Sequence, residues 1–280
     1  FFPRGEEMRA VSGNPMPTTV LALHGMHGTE LGHQKMQQSR LRSFPKSVRA
    51  CMSSQPTEVS LSAQELKNYR PLVKMCGITS ARDAAIAAES GADLIGMIIW
   101  PNANRSVPLN TAKEISKVVR EHGATPVGVF VDDDEGTILR AADLANLEFV
   151  QLHGKGARAG FHNLIKEKRI IYVLHVNEDG SLVNHISNED CSLVDWILVD
   201  SAIGGSGRGF DWSRFKKPAM RSKNGWLLAG GINPENVREA VCTLRPQGVD
   251  VSSGICASDG IQKDEYKITS FMDAVKSIQG

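Results

Sequence analysis

The sequence predicts an α/β chain folded as a (β/α)8 barrel of the TIM type behind a disordered N-terminal leader, and three observations carry that expectation. Short apolar runs recur eight times from Leu72 onward, alternating with helix-spaced patterns. The runs are apolar throughout rather than alternating with polar residues, as parallel strands buried under helices are. No Gly-x-Gly-x-x-Gly follows the first run, which weighs against an open doubly wound sheet.

The eight runs are Leu72–Cys76, Leu94–Ile99, Val127–Val131, Phe149–Leu152, Ile170–Val176, Trp196–Val199, Trp226–Ala229 and Val249–Val251. Between the second and third, Asn110 or Thr111 is the expected cap of a helix with Ile115, Val118 and Val119 on one face and a stop at Gly123. Asp132-Asp133-Asp134 resembles a metal cluster but better suits the start of the next helix, where acids complement the dipole. The fifth unit is the weakest, because Asn177–Cys191 is polar and holds only a short helix. Asp211 before Trp212 is the expected cap of the helix after the sixth strand. Asn233 caps the one after the seventh, with Pro234 in its first turn and Val237, Ala240, Val241 and Leu244 facing inward. A closing helix carries Ile268, Phe271, Met272, Val275 and Ile278 on one stripe, which needs a partner.

Residues 1–65 lack a sustained apolar period and read as a leader, leaving residues 66–280 for the barrel. Arg40-Leu-Arg42-Ser-Phe-Pro-Lys46-Ser-Val-Arg49 is basic, hydroxylated and free of acid, and no apolar h-region follows it. That suits an organelle transit peptide better than a secretory signal, although Glu6, Glu7, Glu30 and Glu58 count against it. His24, His27 and His33 have no Cys or carboxylate cluster around them, a poor basis for a metal site.

Composition excludes several classes. Net charge is +1, with +4 in residues 1–70 and −3 in the remainder, so the body offers no basic face to nucleic acid. No window approaches the length of an apolar membrane span. Five scattered cysteines with no CxxC pair read as reduced thiols rather than as a disulfide framework or zinc site.

In such a barrel chemistry sits at the C-terminal ends of the strands. Those ends present Cys76-Gly77, the Trp100–Arg105 loop, Asp132–Asp134, His153-Gly154, His175, Asp200, Gly230-Gly231 and Ser252-Ser253-Gly254. Asp200 stands where the sixth strand leaves the core, followed by four glycines within six residues, including Gly205 and Gly207. Gly-rich backbone after strands six, seven and eight, with two hydroxyls, is how these barrels hold a phosphate.

Five motifs in order carry a family likeness. Lys74-Met-Cys76-Gly-Ile-Thr79, Gln151-Leu-His153-Gly154, Leu198-Val-Asp200 with Gly204–Gly207 and Phe210-Asp-Trp212, Leu228-Ala-Gly230-Gly-Ile-Asn-Pro-Glu-Asn-Val237, and Gly248-Val-Asp-Val-Ser-Ser-Gly254 together resemble phosphoribosylanthranilate isomerase across Pro71 to Gly280. The basic extension resembles the plant, plastid-targeted form, which implies the chloroplast stroma once the transit peptide is removed. The resemblance implies an Amadori rearrangement of N-(5-phosphoribosyl)anthranilate in tryptophan biosynthesis, with no cofactor and no metal. The implied partner is a small phosphoribosyl substrate; nothing in the helix faces separates monomer from homodimer.

The resemblance assigns Cys76 as general base and Asp200 as general acid, Arg105 to the anthranilate carboxylate, and Gly205, Gly207, Gly230, Gly231, Ser252, Ser253 and Gly254 to the phosphate. His153 reads equally as a satisfied rim histidine and as a substrate contact. Strand ends one and six face each other across the mouth of a closed barrel, with room for a pentose between them. Burial is expected to raise Asp200, and a cation, Lys74 or Arg105, to lower Cys76. The chain departs from the family pattern at Arg208 and Gly209, where Lys and Thr are usual, at Ala103 in place of Ser, and in Cys256-Ala-Ser-Asp259. Two other readings compete. One is a sister barrel of histidine biosynthesis with two catalytic aspartates, against which Cys76 speaks; the other is a barrel that binds a metabolite without turning it over.

Overall fold

The computed structural model describes residues 70–202 and 209–279. Eight parallel strands close into a barrel in chain order: β1 Leu72–Met75, β2 Leu94–Ile98, β3 Thr125–Phe130, β4 Phe149–Leu152, β5 Arg169–Val176, β6 Trp196–Ser201, β7 Trp226–Leu228 and β8 Gly248–Val251. β1 pairs with β8 in the register Lys74↔Asp250, which closes the ring. Each expected run became a strand. β3 starts two residues early because Thr125 and Pro126 pair with Leu94 and Ile95, and β6 runs on to take Asp200 into the ladder opposite His175.

Alternation along the strands divides the apolar residues into two clusters. Leu72, Leu94, Val127, Phe149, Ile171, Val173, Trp196, Leu198, Leu227 and Ala229 form one, and their strand neighbours pack into the larger cluster with the helices. On β5, Ile171 and Val173 belong to the first while Ile170, Tyr172 and Leu174 belong to the second. The smaller cluster is therefore the barrel interior. Continuing upward on the same parity come Lys74 and Cys76, Gln151 and His153, His175, Asp200, Asp250 and Ser252.

The helices are α1 Ala81–Glu89, α2 Leu109–Glu121, α3 Glu135–Leu144, α4 Lys155–Ala159, α5 Phe161–Glu167, α6 Asn188–Leu193, α7 Val237–Leu244 and α8 Glu265–Lys276. Asp134 caps α3 by accepting from the Thr137 amide, so the acidic run there serves a helix start. The cap expected for α2 is corrected: the helix begins at Leu109 after an extended Pro108 with no side-chain cap, and Asn110 and Thr111 lie inside its first turn. Proline pre-sets φ for a helix start, so the chain turns in before the polar pair is reached. Its end does fall at Gly123, which has φ +78°.

The expected helix after β6 is absent among the described residues. Asp211 accepts from the amide and hydroxyl of Ser213 and heads a single turn only. The segment is too polar and too close to Pro218 to propagate, and it covers the barrel by burying Phe210 and Phe215 edge-on against each other. α6 is short, as the polar fifth unit requires, and α8 buries Ile268, Phe271, Met272 and Val275. No described helix is long and apolar enough to cross a membrane.

Candidate active site

The upper barrel is built around one buried ion pair. The Lys74 ammonium, wholly shielded from solvent, donates to Asp250 Oδ1 at 2.9 Å. Burial alone would strip its proton, but Asp250 and Cys76 reverse that and hold Lys74 firmly cationic. Two residues along the same strand face, Cys76 is also buried, and its amide donates to Val251 O at 2.8 Å. The neighbouring strand β2 makes room with a glycine. A Cβ on Gly96 would stand 2.7 Å from Cys76 Sγ and 3.1 Å from Lys74 Nζ, so no side chain fits there.

Burial pushes the Cys76 thiol up, and the charge and hydrogen bond of Lys74 pull it back without winning. The expected lowering is thereby corrected: the cation is present and is Lys74, but desolvation is larger and Asp250 opposes it. Lys263 is a second, weaker cation acting on the thiol. The Arg105 guanidinium lies over Gly77, where a Cβ would meet its Nε at 2.8 Å, and φ at Gly77 is +69°. Arg105 Nη1 donates to Gly260 O at 3.0 Å, while Nε is buried with no protein partner.

Asp200 is the penultimate residue of β6, with Oδ1 accepting from the Ser201 amide at 2.8 Å. Burial, then the neighbouring Asp250 carboxylate, pushes its carboxyl up to about 7. Such a group holds a proton at neutral pH for a substantial part of the time. Beside it Gly230 has φ +81°, and a Cβ there would collide with the Ser201 amide at 2.8 Å. Gly231, with φ +69°, offers its carbonyl to Asn236 Nδ2. Asn233 Oδ1 accepts from the amides of Glu235 and Asn236, so it caps the turn leading into α7.

Ser252 Oγ donates to Cys76 O at 3.0 Å, and Ser253-Gly254-Ile255 form a short 3₁₀ turn. A Cβ on Gly254 would come within 2.2 Å of Ile232 O. The loops after β7 and β8 are therefore packed together, and the structure gathers Gly230, Gly231, Ser252, Ser253 and Gly254 beside Cys76 and Asp200. Gly205 and Gly207, together with residues 1–65, lie outside the described residues.

His153 directly follows β4, with Nε2 3.4 Å from His175 Nε2, ring against edge. Burial, His175, Lys74 and Arg158 push it down to about 3, so the imidazole is neutral. Its Nδ1 and the Oε1 of Gln151, two residues earlier, are buried without partners. Sequence reasoning missed Asp250, Gln151 and the His175 contact. Parity was the signal available for Asp250, which precedes Ser252 by two as Lys74 precedes Cys76.

Comparison with known proteins agrees with this architecture. A family model described as N-(5'phosphoribosyl)anthranilate (PRA) isomerase matches residues 73–274. The chain belongs to the phosphoribosylanthranilate isomerase family. It is 63% identical over 229 residues to N-(5'-phosphoribosyl)anthranilate isomerase 1, chloroplastic, of Arabidopsis thaliana, covering 82% of this chain and 83% of the relative. The Chlamydia felis isomerase is 36% identical over 204 residues, 73% of this chain and 96% of the relative.

Solved structures of the family share the fold at lower identity. The phosphoribosylanthranilate isomerase of Thermus thermophilus superposes with TM-score 0.64 at 28% identity, covering 74% of this chain and 98% of that one. A phosphoribosylanthranilate isomerase in complex with reduced 1-(o-carboxyphenylamino)-1-deoxyribulose 5-phosphate superposes with TM-score 0.57 at 32% identity, over 74% and 99%.

Proposed function

We propose that this phosphoribosylanthranilate isomerase performs the Amadori rearrangement of N-(5-phosphoribosyl)anthranilate with Asp200 as general acid and Cys76 as general base. The observation that carries the assignment is Asp200 itself: a carboxyl pushed up to about 7 near the end of β6, in a barrel where the buried thiol of Cys76 directly follows β1. Asp200 delivers a proton to the furanose oxygen, the ring C–O bond breaks, and C1 and nitrogen become a protonated Schiff base. Cys76 removes the proton on C2, and those electrons form the C1–C2 double bond of an enolamine as the iminium is neutralised. A proton added at C1 and one lost from the C2 hydroxyl complete the ketone.

The unpartnered Arg105 Nε belongs to a guanidinium suited to the anthranilate carboxylate. The glycine-rich turns at Gly230-Gly231 and Ser252–Gly254, with Gly205 and Gly207, cradle the phosphate through backbone N–H groups and hydroxyls. His153 stays neutral and offers Nδ1 to a sugar hydroxyl, not a proton for ring opening. The domain boundary falls at 65/66. Residues 1–65 act as a plastid transit peptide, a reading supported by their basic, hydroxylated stretch and by the chloroplastic relatives in Arabidopsis thaliana.

The test is turnover of freshly prepared phosphoribosylanthranilate, followed by loss of its fluorescence, for the full chain, for Cys76→Ser and for Asp200→Asn. Activity in the unmutated protein and its near-abolition in both variants is expected. An inactive parent ends the isomerase reading, and full rate in both variants ends the acid–base assignment.

A further inference from the structure

The Lys74–Asp250 pair is buried beside the two proposed catalytic groups, with Lys74 wholly enclosed and Asp250 8% exposed. An ion pair at that depth is a poor device for stability, because the desolvation of two charges consumes most of what their attraction returns. Apolar residues fill the interior below it, Leu72 on β1, Leu227 on β7 and Leu198 on β6. Its placement points to another use. Gly96 lets the Lys74 ammonium and the Cys76 sulfur approach one shared point, 3.1 and 2.7 Å from where its Cβ would be. Asp250 anchors the ammonium at 2.9 Å from the next strand, in direct register with Lys74.

We infer that Lys74 and Asp250 are positioning residues that divide the proton between the catalytic groups: Lys74 supports the Cys76 thiolate, and Asp250 disfavours the charge on Asp200. This rests on the acid–base assignment above and adds what makes it work. Because the acid ionises below the base, the productive form, Cys76 thiolate with Asp200 protonated, is a minority at every pH. Any charge that narrows the gap raises its share. Lys74 acts on the thiol by charge and hydrogen bond, and Asp250 is the largest charged influence on Asp200. The other charges facing the sites are Asp250 and Lys263 toward Cys76, the first raising and the second lowering it, and Lys74 toward Asp200, while His153 is neutral. Lys74 is wholly buried and Asp250 nearly so, and both act through their neighbours.

The test reads the thiol directly, without substrate. Thiolate absorbance of the full chain is titrated against pH for the parent, Lys74→Met, Lys74→Arg and Lys74→Met/Asp250→Leu, each as the difference from its Cys76→Ser counterpart. The pH dependence of kcat/KM is measured on the same proteins and on Asp250→Asn.

Loss of Lys74 is expected to lower the Cys76 thiolate fraction about tenfold at a fixed pH below the midpoint, the effect of removing one close opposite charge. Lys74→Arg restores most of it. Asp250→Asn moves the lower limb of kcat/KM to more acid pH. The apolar double variant keeps the question answerable if Lys74→Met alone does not fold. An unmoved Cys76 titration in a folded variant lacking Lys74 overturns the inference. Because that readout needs no turnover, its failure is separable from failure of the isomerase assignment.

Discussion

Lys74 Nζ donates to Asp250 Oδ1 at 2.9 Å across the seam where β1 meets β8, 176 residues apart in the chain. The same contact closes the barrel and sets the charge beneath its mouth. Removing one partner leaves the other buried and unpaired. Lys74→Met is expected to cost about 3–5 kcal/mol, whereas Lys74→Met/Asp250→Leu returns to within roughly 2 kcal/mol of the parent. Denaturant unfolding of the three proteins checks this, and equal losses in single and double variants would contradict it.

The acid–base assignment predicts a particular pH profile. The carboxyl at about 7 ionises before the thiol that burial has raised. kcat/KM therefore rises as pH increases through about 7, levels, and falls only beyond the ionisation of Cys76. Steady-state rates across the acid and alkaline range decide it. A rate already maximal well below pH 7 would remove Asp200 as the titrating group.

Asp200 also carries a stability cost with a defined sign. Its folded value, about 7, lies well above that of an ordinary aspartate, so its contribution is intact below the unfolded value and is lost as pH rises toward about 7. Asp200→Asn should therefore unfold at higher temperature than the parent near neutral pH. The difference is at most about 4 kcal/mol and shrinks toward zero near pH 4. Thermal unfolding at the two pH values tests it; a gain independent of pH would point to packing instead.

Gly96→Ala places a methyl group 2.7 Å from Cys76 Sγ. Overpacking of this kind is expected to cost about 1–3 kcal/mol and to displace the thiol, lowering kcat more than KM rises. A variant with unchanged kcat would show that the thiol position is not critical.

Arg105→Lys keeps the charge and loses the planar fork. If Arg105 holds the anthranilate carboxylate, KM rises by about 10- to 100-fold while kcat changes little. An unchanged KM would leave Arg105 only its contact with Gly260.

Much of this was legible in the linear chain. The strands are short and apolar throughout, and the helix stops at glycines such as Gly123 are local events, so eight units could be read in order. Cys76 and Asp200 could be singled out because each directly follows or ends an apolar run where barrels place chemistry. The missing helix after β6 was not legible, because an Asp cap signal is the same whether one turn or three follow it. The Pro108 start of α2 escaped the sequence for a similar reason: Pro108, Asn110 and Thr111, within four residues, were each acceptable at a helix start.

What the sequence by itself determined is the order and kind of the elements, since hydrophobic period and turn chemistry act over a few residues. The tertiary structure alone decided which charges meet. Lys74 and Asp250 become neighbours only when β8 pairs with β1, and Asp200 is pushed toward neutral pH only when closure removes water and brings Asp250 near. Electrostatic effects depend on distance and burial, and closure of the ring is what sets both.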